Sequence, residues 1–330
     1  VKAFVQDRYG GPEVLALRTV DDPVPGPGEV LVRVRASSLN AADWHLMRGD
    51  PYVVRALDRT TFGWRAPKRP IRGRDLAGVV AALGPGVTDL AVGDEVVGEV
   101  LAEGAFAELV AAPADVLARK PADLPFEQAA ALPLAGTTAL TGLREARLAA
   151  GDRLLVNGAS GGVGTFAVQL AAALGAEVTA VCSARNADQA RALGAVHVVD
   201  YARSDFAASG QRYDVVLDLV GNRSLADLRR VLTADGALLL SGGGTSQGGS
   251  LFGPMRLFAV AGVRARFVRP QRLLAFRAEP SAAMVADLLA MVAAGTLRPV
   301  IDRTYPLADL PEAMRYLEED HAAAKVVITV

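Results

Sequence analysis

An α/β architecture, with a doubly wound parallel sheet beside a second, β-rich domain, follows from three features of this 330-residue chain. The first is an alternation of short apolar runs with alanine-rich helical stretches. Strands are expected at Arg153 to Asn157, Glu177 to Cys182, His197 to Val199, Val215 to Asp218 and Ala237 to Ser241, and helices at Thr165 to Leu174, Asn186 to Leu193 and Ser224 to Leu232. Such alternation builds a parallel sheet with helices on both faces. The second is the glycine-rich turn in which the first of these strands stops, Asn157-Gly158-Ala159-Ser160-Gly161-Gly162-Val163-Gly164. The third is the texture of residues 1 to about 118, which are strand-rich without any βαβ pattern.

Within that first segment Lys2-Ala3-Phe4-Val5 is strand-like, and Asp21 to Gly28 is a loop punctuated by proline and glycine. Val30 to Ala36 then alternates apolar and basic side chains, as a half-buried strand does. Further strands are expected at Leu76 to Leu83, Glu95 to Val100 and Ala105 to Ala111, divided by turns at Gly84-Pro85-Gly86 and Gly93-Asp94. Val53 to Pro70 reads as irregular and basic, with Arg55, Arg59, Arg65, Lys68 and Arg69 beside Phe62 and Trp64. A lid or specificity loop and a plain solvated face are both open readings of it. From Pro121 the chain turns helical. Pro125 suits a helix first turn, and Pro133 interrupts the run before a helix from Leu134 to Arg147. A helix is expected from Pro280 to Ala294, another at Leu310 to Asp320, and a strand at Lys325 to Val330. Because this tail resembles the first segment, the first domain is read as discontinuous, residues 1–120 with 296–330, around a domain at 121–295.

The glycine turn is suited to a pyrophosphate. Residues without side-chain bulk admit the anion to the backbone, and the free N–H groups and dipole of the following helix favour its charge. Read as G-x-G-x-x-G, the motif departs from the pattern only at its first position, Ala159, with Gly161 and Gly164 in the others. Some 20 residues on, an NAD site usually carries an acidic side chain for the ribose hydroxyls. Here Val181 to Asn186 contains no carboxylate, while Ser183 offers a hydroxyl and Arg185 a charged fork suited to a 2′-phosphate. NADPH is therefore the expected cofactor, the other reading of Arg185 being a residue that solvates the start of the next helix.

Composition narrows the function further. Thirty-five basic residues stand against 36 acidic ones, so no general attraction to nucleic acid or an anionic membrane is expected, and the partners should be small molecules. No run approaches the ~20 apolar residues of a membrane span. With no signal-peptide pattern, a cytoplasmic location is the expectation. The single cysteine, Cys182, lies in an apolar strand, which rules out an intrachain disulfide or a cysteine zinc cluster and fits a buried thiol.

Several segments carry a family likeness: Gly73-Arg74-Asp75-Leu76-Ala77-Gly78-Val79-Val80, Val92-Gly93-Asp94-Glu95-Val96, Ala129 to Leu140 and Asn157 to Gly164. With them the chain resembles, along essentially its full length, the medium-chain dehydrogenase/reductase superfamily, in its zinc-independent, zeta-crystallin-like NADPH:quinone oxidoreductase branch. The resemblance implies a GroES-like β-barrel joined to a Rossmann domain, use of NADPH and a homodimer. It implies Ser160, Gly161, Gly162 and Val163 around the pyrophosphate, and Ser183, Arg185 and Tyr201 at the 2′-phosphate, with Asn186 where relatives carry a lysine. Thr137, Leu219, Val220, Gly221, Ser241, Gly242 and Lys325 would lie near the nicotinamide end. The places that hold catalytic zinc in other relatives carry Asn40, Arg74 and Ala135, so no metal is expected.

A hydride transfer without zinc requires an acceptor that spreads charge by conjugation, such as a quinone or an α,β-unsaturated carbonyl. On the substrate side Asn40 matches the family's asparagine, followed by Asp43, Trp44, His45 and Tyr52. Tyr52 is either a proton donor or a tyrosine packed at a loop end, and His45 is similarly open. Two alternatives remain: an enoyl or alkene reductase of secondary metabolism, and an NADPH-binding protein without turnover.

Overall fold

Two short antiparallel strands, β1 (Lys2–Gln6) and β2 (Leu15–Thr19), open the chain and lead into the long β3 (Glu29–Leu39). In β3 the side chains of Val30, Val32, Val34 and Ala36 are buried, while Arg33 and Arg35 are exposed, the period-2 alternation of a strand with one wet face. Its last residues, Ser37 to Leu39, are all buried and lead to the helices α1 (Ala41–Arg48) and α2 (Tyr52–Leu57). β4 (Asp75–Leu83), β5 (Glu95–Glu99), β6 (Leu109–Pro113) and β7 (Leu117–Arg119) follow, then α3 (Phe126–Ala130) and α4 (Pro133–Ala146), with Pro133 opening α4.

The parallel sheet is built from β8 (Arg153–Asn157), β9 (Glu177–Cys182), β10 (His197–Asp200), β11 (Tyr213–Asp218), β12 (Leu232–Leu240) and β13 (Arg272–Ala275). The crossovers carry α5 (Gly162–Ala173), α6 (Ala187–Ala192), α7 (Leu225–Arg230) and α8 (Met255–Arg264). All neighbours run parallel in the order β10-β9-β8-β11-β12-β13. The order of winding reverses between β8 and β11, and the strand C-termini at such a reversal are where open α/β sheets bind ligands.

After α9 (Ala282–Ala293) come β14 (Ile301–Pro306), α10 (Leu310–Glu319) and β15 (Lys325–Thr329). β15 inserts between β14 and β3, giving the order β14-β15-β3-β4-β5-β7 with β6 also paired to β3. These pairings, among the described residues, trace an open path of strands. The computed structural model describes residues 1–57, 62–102, 104–241, 253, 255–265, 270–319 and 322–330. They divide into one unit of Val1–Thr137 with Glu279–Val330 and another of Thr138–Ala278. Residues 121–137 and 279–295, read from sequence with the parallel sheet, thus group with the first unit. There α3 packs on β3, β4, β5 and β15, and α9 on β5 and β7.

Two local expectations need correction. The strand expected at Ala105 to Ala111 begins only at Leu109, because Ala105 and Phe106 donate instead to the carbonyls of Gly73 and Arg72. The stretch read as irregular from Val53 contains the end of α2, held where Arg55 lies between the rings of Tyr9 and Tyr52 and donates to Gly49 O. Of its other residues Trp64 is exposed, Phe62 is buried near Tyr9, and Arg59 lies outside the described residues. Among the described residues no helix is long and apolar enough to cross a membrane.

Candidate functional site

The turn after β8 has the shape an anion requires. Gly158 takes φ +92°, a backbone conformation that L side chains rarely adopt, and its N–H and that of Ala159 both donate to Val181 O. Ala159, the departure from the glycine pattern, is buried and has no positive φ, so a methyl group is accepted there. Gly164 is the close approach: a Cβ would lie 2.2 Å from Gly158 O and 2.7 Å from the Ala159 backbone. Gly161 caps α5, and Thr165 N–H makes the first bond of the helix, to Gly161 O. By helix geometry the N–H groups of Gly162, Val163 and Gly164 then have no partner within α5. With half-buried Ser160, they form a cradle that fits a pyrophosphate.

At the ends of the neighbouring strands the register pairs Cys182 of β9 with Asp200 of β10. Ser183 and exposed Arg185 follow the one, and Tyr201, 53% exposed, follows the other, its N–H bonded to Cys182 O. Asn186 is buried. The nearby carboxylate of Asp200 accepts from the Ala202 N–H at 3.1 Å. Cys182 is a buried free cysteine whose thiol is pushed to higher pKa, first by burial and then by Asp200. Across the reversal point, buried Asp218 accepts from Asn157 Nδ2 (2.8 Å) and from the N–H groups of Val220 and Gly221 (3.2 and 3.1 Å), fixing the loop that carries Leu219. Ser241 N–H donates to Asp218 O, and Gly242 lies outside the described residues.

The first unit contains a separate buried polar network, centred on Asp75, a residue to which sequence reading gave no role. Its Oδ2 accepts from Ser38 Oγ (2.7 Å), Asn40 Nδ2 (2.9 Å) and Lys325 Nζ (3.3 Å), and its Oδ1 from Leu134 N–H (2.9 Å). Lys325 also donates to Asn40 Oδ1 (2.6 Å) and Leu39 O (3.1 Å). Asp75 and Lys325 are 0% and 2% exposed, so each charge depends on the other and on these hydrogen bonds. The signal was legible: an acid and a base each open an otherwise apolar strand. Asn40 holds the network together, and its backbone N–H donates to the buried carboxylate of Asp43 at 2.8 Å.

Trp44 and His45 meet edge-on at 4.5 Å in α1, with Trp44 Nε1 and His45 Nδ1 buried and unbonded among the described residues. Burial lowers the His45 pKa, against the opposing influence of Asp50. Tyr52 is 45% exposed. Thr137 is buried and donates back to Pro133 O at 2.7 Å. Arg74 is paired with Glu99 and Ala135 is buried, so neither offers a metal a donor.

Residues 26–122 match the family model of the alcohol dehydrogenase GroES-like domain, and residues 193–328 that of a zinc-binding dehydrogenase. The mitochondrial NAD(P)H oxidoreductase RTN4IP1 of Bos taurus is 33% identical over 370 residues, covering 99% of this chain and 89% of that protein. The chloroplastic NADPH-dependent alkenal/one oxidoreductase of Arabidopsis thaliana is 31% identical over 341 residues, covering 99% and 79%. Among solved structures, the quinone oxidoreductase from Coxiella burnetii matches with a TM-score of 0.86 and 30% identity, over 100% of this chain and 99% of that one.

Proposed function

The chain belongs to the medium-chain dehydrogenase/reductase superfamily, in its zinc-independent quinone oxidoreductase branch, and from that premise we propose that it reduces a quinone or an α,β-unsaturated carbonyl with NADPH. The observation that carries the cofactor choice is the end of β9. Ser183 and Arg185 follow β9 as Tyr201 follows its register neighbour β10, the segment to Asn186 has no carboxylate, and Asp200 is engaged with the Ala202 N–H. A 2′-phosphate would meet a guanidinium and two hydroxyls at that point. Names among the relatives, one of them NADPH-dependent and acting on alkenals and enones, support the same reading. Family membership also supports barrel closure of the first unit and a homodimer.

Bound in the cradle after β8, the cofactor would supply two electrons as hydride, and the substrate would take its balancing proton from water or a protein donor. The chain's part is to hold and to orient. The α5 N-terminus would hold the pyrophosphate, with Ser160, Gly161, Gly162 and Val163 nearest, and the loop Leu219-Val220-Gly221, pinned by Asp218, with Ser241 would face the nicotinamide end. Lys325 and the amide of Asn40 are engaged with Asp75, which gives both the character of positioning residues. Of the remaining substrate-side candidates, Asp43, Trp44, His45 and Tyr52, the tyrosine is the most exposed and is the proton donor we assign.

Initial rates of NADPH and NADH oxidation with a para-quinone and a 2-alkenal, with and without a strong chelator, test the reading. Expected is turnover with at least one acceptor, insensitive to chelation, and a kcat/KM favouring NADPH by about tenfold or more, the factor that corresponds to ~1.4 kcal/mol. No turnover with either acceptor would reject the proposed reaction, and a chelator-sensitive rate would reject its metal-free form.

A further inference from the structure

The crossover from β10 to β11 differs from the others in the parallel sheet. Where the remaining four carry α5, α6, α7 and α8, residues 201–212 carry only a three-residue 3-10 turn, Phe206–Ala208. Phe206 and Ala207 of that turn are buried with Val181, Leu155 and Tyr213. Toward the N-terminal ends of the strands the cover gives out, and a cavity of about 220 Å³ opens there, lined by Thr179, Val199 and Tyr213 together with Arg153, His197 and Arg212. Thr179 precedes Ser183 by four residues, or about 13 Å of extended strand, so the cavity lies away from the strand ends that carry the cofactor candidates.

Its lining is rich in donors. Tyr213 is 5% exposed, and burial raises the pKa of its phenol against a hydrogen bond with the Thr179 side chain, so the hydroxyl stays protonated at neutral pH. Gln211 on the crossover adds an amide, while the Ser209 hydroxyl is spent on Phe206 O at 2.8 Å. Glu177, the carboxylate in the lining, is hydrogen-bonded to His197 at 2.8 Å, and Arg153 is held 3.6 Å from Asp214. Arg212 has no carboxylate partner among the described residues. Its Nη1 donates to the carbonyls of Arg230 and Leu232, which fixes the guanidinium and leaves three of its five N–H groups for a ligand.

We propose that this cavity binds a compact oxyanion, such as inorganic phosphate or a di- or tricarboxylate, anchored by Arg212 and the Tyr213 hydroxyl. The volume falls below the ~300 Å³ at which sites for larger ligands begin, a size suited to a small anion. A planar guanidinium and a buried hydroxyl are the donors that oxygens of this kind select.

Calorimetric titration of the NADPH-saturated protein with phosphate, succinate and citrate tests the site, the saturation keeping these anions out of the cofactor's own phosphate contacts. One equivalent of at least one anion should bind, Arg212→Gln should weaken it by about tenfold or more, and Tyr213→Phe by a smaller factor, with NADPH affinity unchanged. Thr179→Val replaces the tyrosine variant if that one does not fold. No binding of any of the three anions to the wild-type protein, or binding that the arginine and hydroxyl variants leave intact, would overturn the proposal.

Discussion

Asp75 receives four donors inside the first unit, one of them the Lys325 ammonium, and none of its partners is close to it in sequence. A buried carboxylate needs such a set, because an unpaired charge at 0% exposure would cost several kcal/mol. Asn40 is held between Asp75 and Lys325, so its orientation is fixed before any substrate arrives. Arg185 is the opposite kind of residue, exposed at a strand end, and its assignment can be tested by deletion. Arg185→Ala should weaken NADPH binding by about 1.5–3 kcal/mol, the scale of a charged hydrogen bond, and leave NADH nearly untouched. Fluorescence titration with both cofactors measures this, and an equal loss for the two would remove the 2′-phosphate role.

At the scale of elements, the turn between β8 and α5 divides its demands between two glycines: Gly158 provides the left-handed backbone and Gly164 the close approach. Ala159→Gly, which restores the strict pattern, should therefore not tighten NADPH binding and should lower stability by about 0.4–1 kcal/mol through the unfolded chain. Gly158→Ala should cost at least about 1 kcal/mol, from the φ of +92° and a Cβ 2.9 Å from Val220 Cγ2. Urea melts of the two variants give both numbers, and tighter NADPH binding by Ala159→Gly would contradict this division. The central strands were legible because parallel strands buried on both faces read as continuous apolar runs, as Leu154 to Val156 do. β13 escaped notice because only Leu273 of its four residues is buried, and β14 because it is wet and ends in a proline. α5 begins at Gly162, three residues before the expected start, since glycines in a first turn look like loop. The Asp75 network was half legible: its charges stood out at strand starts, but no local pattern tells which distant residues will meet.

For the whole molecule, His45 links folding to pH. Its pKa is lowered in the folded state, chiefly by burial, from an ordinary value of 6.5. Below that value the unfolded chain binds a proton that the folded chain resists, so stability should fall as pH falls through about 6.5. His45→Gln should lose less melting temperature than the wild type between about pH 7 and about pH 5. Parallel curves for the two proteins would show that the histidine has no part in this.

The placement of β15 also bears on the order in which the molecule can be made. This strand pairs with both β14 and β3, and its first residue carries the cation that Asp75 faces, 250 positions away in the chain. A nascent chain therefore exposes Asn40 and Asp75 first, then completes all of Thr138–Ala278, and only afterwards delivers Lys325. Through that interval the Asp75 carboxylate lacks its ammonium partner and β3 lacks a neighbour, while the parallel sheet already has every strand it needs. On the ribosome the later-encoded unit is thus free to fold first, and the earlier one must wait for its closing strand.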